Sequence, residues 1–310
     1  MSEIAVRNIA KAVLPIPVRR FLRGCLHYFQ RIGRWPIILW QVRGTTPRDR
    51  WILFRSALAS PFLSINKPLE WQDPILLADA QVDVRGVGRF MVRARCDDLY
   101  HVLPWREPAI FAVLRDQLRP GDTFIDAGAN IGVYSVLAAR LVGPDGKVIA
   151  VEMMPDTADR LEHNLQLNGI LNVAVCRAAL SNTVGQFVTA KVTLGKYGQA
   201  SIAKRIADDT ALSIQVKTTT LDELSNNLRE VRLIKMDLEG AEALALLGAR
   251  ALLDKADFLI CEILGQTRSG DNRVEACLGE AGFTVRFIDG NNLLAVKKRQ
   301  TRQGQQGIPQ

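Results

Sequence analysis

A glycine-containing loop that follows an acidic residue is the first feature of this sequence that could do chemistry. Asp126 ends a short apolar segment, and Gly128 and Gly132 follow within Asp-Ala-Gly-Ala-Asn-Ile-Gly, where a helical pattern begins. Loops between a strand and a helix bind ligands at the carboxyl edge of a parallel sheet, and glycine lets the backbone approach the ligand. The middle glycine of a dinucleotide-binding loop is absent, and the acid disfavours a pyrophosphate. The loop therefore favours a ligand that carries a positive charge.

A second acid, Glu152, ends the next predicted strand after Asp126. A carboxylate at this place commonly binds the hydroxyl groups of a ribose. An acid, a glycine loop and a second acid on successive strands suit a nucleoside with a cationic tail, which is S-adenosylmethionine. A turn alone or a surface acid alone would not indicate a cofactor, so the prediction depends on the combination.

Four charged residues lie together where a later strand ends and a helix begins. Lys235, Asp237, Glu239 and Glu242 occur in Lys-Met-Asp-Leu-Glu-Gly-Ala-Glu. Strand alternation places Lys235 and Asp237 on one face, and a lysine in a covered strand is costly unless it is paired. We therefore predict that Asp237 or another acid lies beside Lys235. The carboxylates fit a catalytic rim, and the alternative for Glu239 and Glu242 is stabilisation of the helix N-terminus.

The elements that would position these residues alternate between strand and helix from residue 123 onward. Strands are predicted at 123–126, 147–152, 173–180, 233–238, 258–263, 283–288 and 293–297, and helices at 130–141, 156–169, 241–253 and 274–281. This alternation predicts an α/β fold with a doubly wound sheet, mostly parallel, and an antiparallel hairpin at one edge. A hairpin at 82–92 and a helix at 108–118 precede it. The long connection at 181–228 predicts strands that overhang a site.

Five motifs occur together between about residues 107 and 285. They are Asp-x-Gly-Ala-Asn-x-Gly at 126–132, Val-Glu-x-x-Pro at 151–155, Asn-x-x-Leu-Asn-Gly at 164–169, Thr-Thr-Leu-Asp-Glu-Leu at 219–224 and Lys-x-Asp-x-Glu-Gly-x-Glu at 235–242. The combination resembles the FkbM family of S-adenosylmethionine-dependent methyltransferases, and the last motif is its most specific part. Met153 is one departure, since family members often have proline there. The resemblance implies a class I methyltransferase-like fold and O-methylation of a hydroxyl on a sugar, glycan, glycolipid or polyketide-type metabolite.

The resemblance also implies roles for individual residues. The cofactor would contact Asp126, Gly128, Asn130, Gly132 and Glu152. The transferred methyl and the acceptor oxygen would lie beside Asp237, Lys235, Glu239 and Glu242. Methyl transfer from a sulfonium is an in-line displacement, and a carboxylate can take the proton of the acceptor alcohol. Asp237 is the predicted base or acceptor anchor, with Glu239 second and Lys235 orienting the carboxylate. A divalent cation that bridges Asp237 and Glu239 is a less favoured alternative.

Three other functions share parts of this pattern. A nicotinamide dehydrogenase would need phosphate-binding glycines that residues 128–133 lack. A methyltransferase acting on a nucleic-acid or other nitrogen commonly carries Asn/Asp-Pro-Pro-aromatic where this chain has Asp-Leu-Glu-Gly at 237–240. A non-catalytic methyltransferase-like binding module would not need acids at the ends of three strands. We expect a small-molecule, glycan or glycolipid acceptor and no nucleic-acid partner.

The charge of the 310 residues is distributed unevenly, although the formal net charge is +8. Residues 1–55 contain eleven Lys/Arg and two Asp/Glu, whereas residues 56–296 are net acidic. We predict a basic, Trp/Arg-rich, mainly helical extension at 1–80, the methyltransferase domain at 81–298 and a disordered tail at 299–310. Such an excess of basic residues over the whole body would favour nucleic acid, but here it is confined to the two ends.

The basic extension has two interpretations. Arginines that alternate with aromatic and aliphatic residues within residues 1–55 are typical of a segment that lies on an anionic membrane, and the alternative is a helical extension packed on the domain. The five widely spaced cysteines and the short apolar runs predict a cytoplasmic protein. The first interpretation of the extension adds peripheral contact with the inner face of the membrane. The acceptor hydroxyl and the oligomeric state stay open.

Overall fold

The computed structural model describes residues 15–63, 74–203, 211–263 and 273–298, so the predicted tail at 299–310 lies outside it. The amino-terminal elements are α1 (Ile16–Gln41), β1 (Val42–Gly44), α2 (Pro47–Leu63), β2 (Ala80–Val84) and β3 (Gly88–Val92). The pairing of β2 with β3 confirms the predicted hairpin. β1 also pairs with β2, so the small sheet β1-β2-β3 contains strands from both the predicted extension and the predicted domain. The boundary predicted between residues 80 and 81 falls within β2. The predicted domain boundary there stays a prediction.

Strands and helices alternate in the rest of the chain. Its elements are α3 (Asp98–His101), α4 (Pro108–Gln117), β4 (Thr123–Ala127), α5 (Val133–Val142), β5 (Lys147–Val151), α6 (Pro155–Leu167), β6 (Val173–Cys176), β7 (Ala179–Leu180), β8 (Phe187–Thr193), β9 (Ala211–Thr219), α7 (Leu221–Leu224), β10 (Val231–Met236), α8 (Glu242–Leu247), α9 (Arg250–Lys255), β11 (Ala256–Glu262), α10 (Arg273–Glu280), β12 (Phe283–Phe287) and β13 (Asn292–Lys297). Short 3₁₀ turns lie at Pro104–Arg106 and Tyr197–Gln199.

The central sheet has seven strands in the order β12-β13-β11-β10-β4-β5-β6. β13 runs antiparallel to both of its neighbours, and the pairs among β11, β10, β4, β5 and β6 are parallel. This topology confirms the predicted doubly wound, mostly parallel sheet with an antiparallel hairpin at one edge. The strand order reverses between β4 and β10, and Lys235 is in register with Asp126 at that point. Ligands bind at such a switch point.

Both faces of the sheet are covered by apolar side chains. Phe124 and Leu233 belong to the core on one face, whereas their chain neighbours Ile125 and Ile234 belong to the core on the other. Nearly continuous apolar strands are expected when helices cover both faces of a parallel sheet. Polar residues are therefore confined mainly to the strand ends, which is where the predicted site lies. Among the helices that the structure describes, none is long and apolar enough to span a membrane.

Three predicted elements differ from the structure for local reasons. α5 begins at Val133 and not at Asn130, because Asn130 and Gly132 have positive φ angles of 49° and 90°. The predicted strand at 173–180 is divided, since β6 belongs to the central sheet and β7 pairs with β9 in a separate three-stranded sheet. The predicted helix at 241–253 is interrupted at Gly248. A Cβ atom there would overlap the carbonyl oxygen of Ser181, so the chain needs glycine at this close approach.

Candidate functional site

A cleft of about 610 Å³ lies at the carboxyl ends of β4, β5 and β10. Its lining includes five of the residues predicted for the site: Gly128, Asn130, Glu152, Asp237 and Glu239. The other four predicted residues, Asp126, Gly132, Lys235 and Glu242, do not line it.

The loop after β4 brings its backbone close to the end of β10. Gly128 has a φ of 84°, and a Cβ atom at this position would overlap the carbonyl oxygen of Asp237. Asn130 also has a positive φ, and the buried Oδ1 atom of its side chain has no hydrogen-bond partner among the described residues. A hydrogen-bond donor on a bound nucleoside would satisfy that oxygen. The loop therefore fits the predicted cofactor.

Glu152 connects the end of β5 to this loop. Its Oε2 accepts the backbone N–H of Asn130 at 3.0 Å, and its Oε1 accepts the N–H of Met154 at 2.8 Å. Burial raises the pKa of Glu152 to about 7, although both backbone hydrogen bonds act to lower it. Each carboxylate oxygen can accept a further hydrogen bond. Glu152 can therefore accept ribose hydroxyls without releasing the loop.

Asp126 and Gly132 lie behind the loop. The carboxylate of Asp126 is fully buried and accepts a hydrogen bond from Ser135 Oγ at 2.6 Å. Burial raises the pKa of Asp126, against the opposing effect of the Lys235 charge. A Cβ atom on Gly132 would overlap the side chain of Leu161, so this glycine permits close packing of α5 on α6. Both residues are placed to shape the loop and not to form the cleft wall.

Lys235 and Asp237 form the ion pair that strand alternation predicts. Lys235 Nζ lies 3.1 Å from Asp237 Oδ2 and 4.9 Å from the centre of the Tyr134 ring. Burial would lower the pKa of Lys235, but the charges of Asp237 and Asp126 raise it overall. The lysine is therefore charged and holds the Asp237 carboxylate, although Lys235 itself does not line the cleft.

Glu262 ends β11, beside β10, and is not among the residues predicted from the sequence. Its carboxyl group lies within 4.8 Å of the Asp237 carboxylate. The charge of Asp237, followed by burial, raises the pKa of Glu262. Burial acts to raise the pKa of Asp237 as well, but Lys235, Glu262 and Arg106 hold it well below its usual value. The two pKa values are therefore shifted in opposite directions. The position of Glu262 at the end of a strand is the same sequence signal that identified Glu152.

Asp237, Glu239 and Glu262 are the residues of this site that could hold a metal ion. Their carboxylate oxygens lie within 4.8 Å of one another. Oxygen ligands of this kind suit Mg²⁺ or Ca²⁺. However, Lys235 and Arg106 already supply positive charge to Asp237. A divalent cation therefore stays the less favoured alternative.

Glu242 and Glu239 have different places in the turn after β10. Glu242 Oε1 accepts the backbone N–H groups of Leu238 and Gly240 at 2.9 and 3.1 Å. Glu239 has a positive φ of 52°, and its carbonyl oxygen accepts a hydrogen bond from Ser201 Oγ at 2.8 Å. Glu242 therefore shapes the turn that carries Glu239 into the cleft.

The connection between β7 and β10 forms the predicted strands, β8 and β9, but a short 3₁₀ turn between them lines the cleft in their place. Tyr197 and Gly198 are part of the lining, and the buried carboxylate of Asp97 accepts their backbone N–H groups at 3.1 and 2.9 Å. Arg93 lies 4.0 Å from the centre of the Tyr197 ring. Asp97 is not among the residues predicted from the sequence, because its partners lie about 100 positions away. It holds the covering segment, Tyr197–Gln199, in place.

His101 joins Asp97 to Arg106. Arginine only donates hydrogen bonds, so His101 Nδ1 accepts from Arg106 at 2.8 Å and Nε2 carries the hydrogen that faces Asp97 at 3.3 Å. A Cβ atom on Gly198 would overlap the His101 ring, which shows how closely the covering segment packs on it. Since both ring nitrogens are engaged, His101 positions its neighbours.

A second cavity of about 1080 Å³ opens beside the first. His101 and Glu239 line both. The other residues of the second lining are Tyr100, Arg106, Glu107, Pro108, Gln199, Glu262 and residues 289–292. The carboxylate of Asp237, in the first cleft, lies within 4.8 Å of the carboxyl group of Glu262, in the second. The two carboxyl groups therefore stand at the boundary between the two cavities.

Known proteins match the part of the chain that carries this site. The model of the methyltransferase FkbM domain matches residues 126–285. The hexuronic acid methyltransferase AglP of Haloferax volcanii is 27% identical over 179 residues, which cover 57% of this chain and 70% of that protein. The methyltransferase sdnD of Sordaria araneosa is 28% identical over 200 residues, which cover 54% and 75%. A protein-L-isoaspartate O-methyltransferase of Methanopyrus kandleri is 39% identical over 64 residues, so this chain spans only 28% of that relative's length and the match covers 20% of the chain.

Proposed function

Since this chain belongs to the FkbM family of S-adenosylmethionine-dependent methyltransferases, we propose that it methylates a hydroxyl group of a sugar, glycan, glycolipid or polyketide-type metabolite. The observation that carries the proposal is the position of Asp237 between two neighbouring cavities, one lined by the loop after β4 and the other by Glu262. The likeness to a relative named as a hexuronic acid methyltransferase supports a sugar hydroxyl as the acceptor.

The cofactor-binding role belongs to Gly128, Asn130 and Glu152. Glu152 would accept the ribose hydroxyls, and Asn130 Oδ1 would accept a hydrogen bond from the nucleoside. S-adenosylmethionine, when bound, supplies a methyl group on a positively charged sulfur. Tyr197 and Gly198 would cover the cleft and exclude water from the reacting atoms. Asp126 and Gly132 act behind the loop by shaping it.

Asp237 would hold the acceptor hydroxyl. Its carboxylate is ionised at neutral pH and can accept the hydrogen bond of an alcohol, while its low pKa makes it a weak base. Of the two predicted roles, acceptor anchor therefore fits Asp237 better than general base. Glu239, which lines both cavities, is the second candidate to take the proton. Lys235 and Glu242 are positioning residues, since they act on Asp237 and on the turn.

A nitrogen acceptor and a binding role without catalysis are the alternatives. Residues 237–240 read Asp-Leu-Glu-Gly, without the prolines that commonly follow the acid in nitrogen methyltransferases. The charged residues at the ends of β5, β10 and β11 favour catalysis over simple binding. A lipid-linked acceptor would also agree with contact between residues 1–55 and an anionic membrane.

Transfer of a labelled methyl group tests the proposal. The full chain and its D237N variant are incubated with cofactor labelled in the methyl group and with fractionated cell extract. We expect wild-type protein to label lipid-extractable glycan or a soluble metabolite, with the methyl attached to oxygen in mass spectra of the product. D116N, at an exposed position on α4, is the matched control and should behave as wild type. Label on nitrogen in RNA or protein, or cofactor binding with no transfer to any fraction, would overturn the proposal.

A further inference from the structure

The long helix α1 has two different apolar faces. Arg31, Trp35 and Ile38 are buried and pack towards the body of the protein. A second set lies on the opposite side, because successive residues of an α-helix are rotated by about 100°. This outer set consists of Leu22, Leu26, Phe29 and Trp40, with exposed fractions between 49% and 68%. The packing of α1 on the body therefore leaves an apolar stripe facing outward.

The second helix, α2, repeats this arrangement. Ile52, Leu53 and Ser56 are buried. The opposite side carries Trp51, Phe54, Leu58 and Phe62, with exposed fractions between 49% and 61%. The rings of Tyr28 in α1 and Phe62 in α2 are 5.0 Å apart, so the two helices are neighbours. Large exposed apolar areas of this kind mark interaction surfaces.

Basic residues accompany both stripes. Residues 15–63 contain nine arginines and one acidic residue, Asp49. That acid is buried and bonds to Thr45, Thr46 and Gln81, so it does not offset the arginines at the surface. By helical position, Arg19 and Arg23 lie along one side of the α1 stripe, and Arg50 and Arg55 lie on either side of the α2 stripe. The partner must therefore be both apolar and negatively charged.

We propose that the outer faces of α1 and α2 form a docking surface for an anionic lipid membrane. The apolar side chains would enter the boundary between headgroups and acyl chains, and the arginines would contact lipid phosphates. The mixture of aromatic, aliphatic and arginine side chains suits this boundary better than a protein partner with a uniformly apolar face. The inference goes beyond the methylation reaction and does not depend on which acceptor is methylated.

Flotation of the full chain with vesicles tests the docking surface. Vesicles of equal parts phosphatidylglycerol and phosphatidylcholine are compared with vesicles of phosphatidylcholine alone. We expect the protein to float with the anionic vesicles, to stay behind with the neutral ones, and to be released at high salt. The L26Q/F29Q variant should lose most of the binding. The R19Q/R23Q variant should bind about tenfold more weakly, since each basic residue near the surface adds attraction.

Matched substitutions outside the amino-terminal helices serve as controls. L171Q/F187Q removes two apolar side chains that are even more exposed, and R286Q/K217Q removes two exposed charges. Both controls should float as wild type, and binding of S-adenosylmethionine by every variant shows that it is folded. Equal flotation with neutral vesicles, or equal loss in the controls, would overturn the proposal. A third result would also overturn it: the wild-type protein sediments as a dimer and does not float, and the L26Q/F29Q variant is a monomer. The surface would then bind a second copy of the chain.

Discussion

Lys235 Nζ lies 3.1 Å from Asp237 Oδ2 at the switch point of the sheet, where Lys235 is near the end of β10 and Asp237 follows directly after the strand. Main-chain contact extends this pair to the cofactor loop, because Gly128 packs against the carbonyl oxygen of Asp237. The carboxyl group of Glu262, in β11, lies within 4.8 Å of the Asp237 carboxylate. Asp237 is therefore connected to Lys235, to the loop that lines the first cleft and to the wall of the second cavity.

Replacing Asp237 by asparagine should abolish most methyl transfer and leave cofactor binding nearly unchanged. The amide keeps the shape of the side chain but loses the charge that holds the acceptor hydroxyl and pairs with Lys235. We expect kcat to fall by about a hundredfold or more, while the Kd for S-adenosylmethionine measured by calorimetry changes by a few fold. D116N provides the comparison. Full turnover by D237N with normal cofactor binding would show that Asp237 has no such role.

Cofactor affinity should decrease as the pH falls through about 7. The pKa of Glu152 is raised to about 7 by burial, so this carboxylate is ionised above that pH and protonated below it. The ionised form accepts hydroxyl hydrogen bonds, and binding should therefore weaken by up to about tenfold for each pH unit below 7. The Kd for S-adenosylmethionine measured between about pH 6 and pH 8 tests this.

The E152Q variant should bind the cofactor weakly and lose this pH dependence, because its amide does not titrate. E162Q removes a more exposed carboxylate of α6 that pairs with Arg177 and should keep both the affinity and the pH profile of wild type. An unchanged pH profile in E152Q would assign the titration to another group.

Alanine at position 128 should prevent cofactor binding. The residue needs a positive φ, and the added Cβ atom would overlap the Asp237 carbonyl oxygen, so the loop must move away from β10. G143A is a matched control, since Gly143 also has a positive φ but a Cβ atom there meets nothing within 4 Å. We expect G143A to lose about 1–3 kcal/mol of unfolding free energy from backbone strain alone and to bind cofactor normally. Thermal unfolding and calorimetry of both variants measure this difference, and equal cofactor binding would refute it.

Substitution of Asp97 by asparagine should loosen the segment over the cleft. Its carboxylate accepts two backbone N–H groups, from Tyr197 and Gly198, and also faces His101. Hydrogen bonds to a charged acceptor each contribute about 1.5–3 kcal/mol, so we expect the KM for S-adenosylmethionine to rise by about tenfold with a smaller change in kcat. D79N removes an exposed acid that accepts the N–H of Ala94 and should change neither constant. A fall in kcat at constant KM would contradict a covering role.

Removal of divalent cations should leave the activity unchanged. The positive charge beside Asp237 comes from Lys235 and Arg106, so the carboxylate has partners without a metal. Activity of gel-filtered protein in the presence of a chelator measures this. The contrary result is that a chelator abolishes the activity and that Mg²⁺ restores it in the wild-type protein but not in E262Q or E239Q. That result would assign a cation to Asp237, Glu239 and Glu262.

The sequence by itself determined the strand–helix alternation, the loop at 126–132 and the acids at the ends of β5 and β10. These features are local: apolar periodicity reports which faces are buried, and glycine and acidic residues mark the points where strands end. The pairing of Lys235 with Asp237 was also predictable, because two residues separated by one position share a face of a strand.

Only the tertiary structure decided which residues meet across the cleft. Asp97 and Tyr197 are 100 positions apart, and Glu262 reaches Asp237 because β11 lies next to β10. The structure also placed Asp126 and Gly132 behind the loop, where the spacing of the motif could not distinguish a cleft wall from its support. Such contacts depend on strand order and register, which bring distant segments together, whereas a pattern of neighbouring residues reports only the local backbone and its buried face.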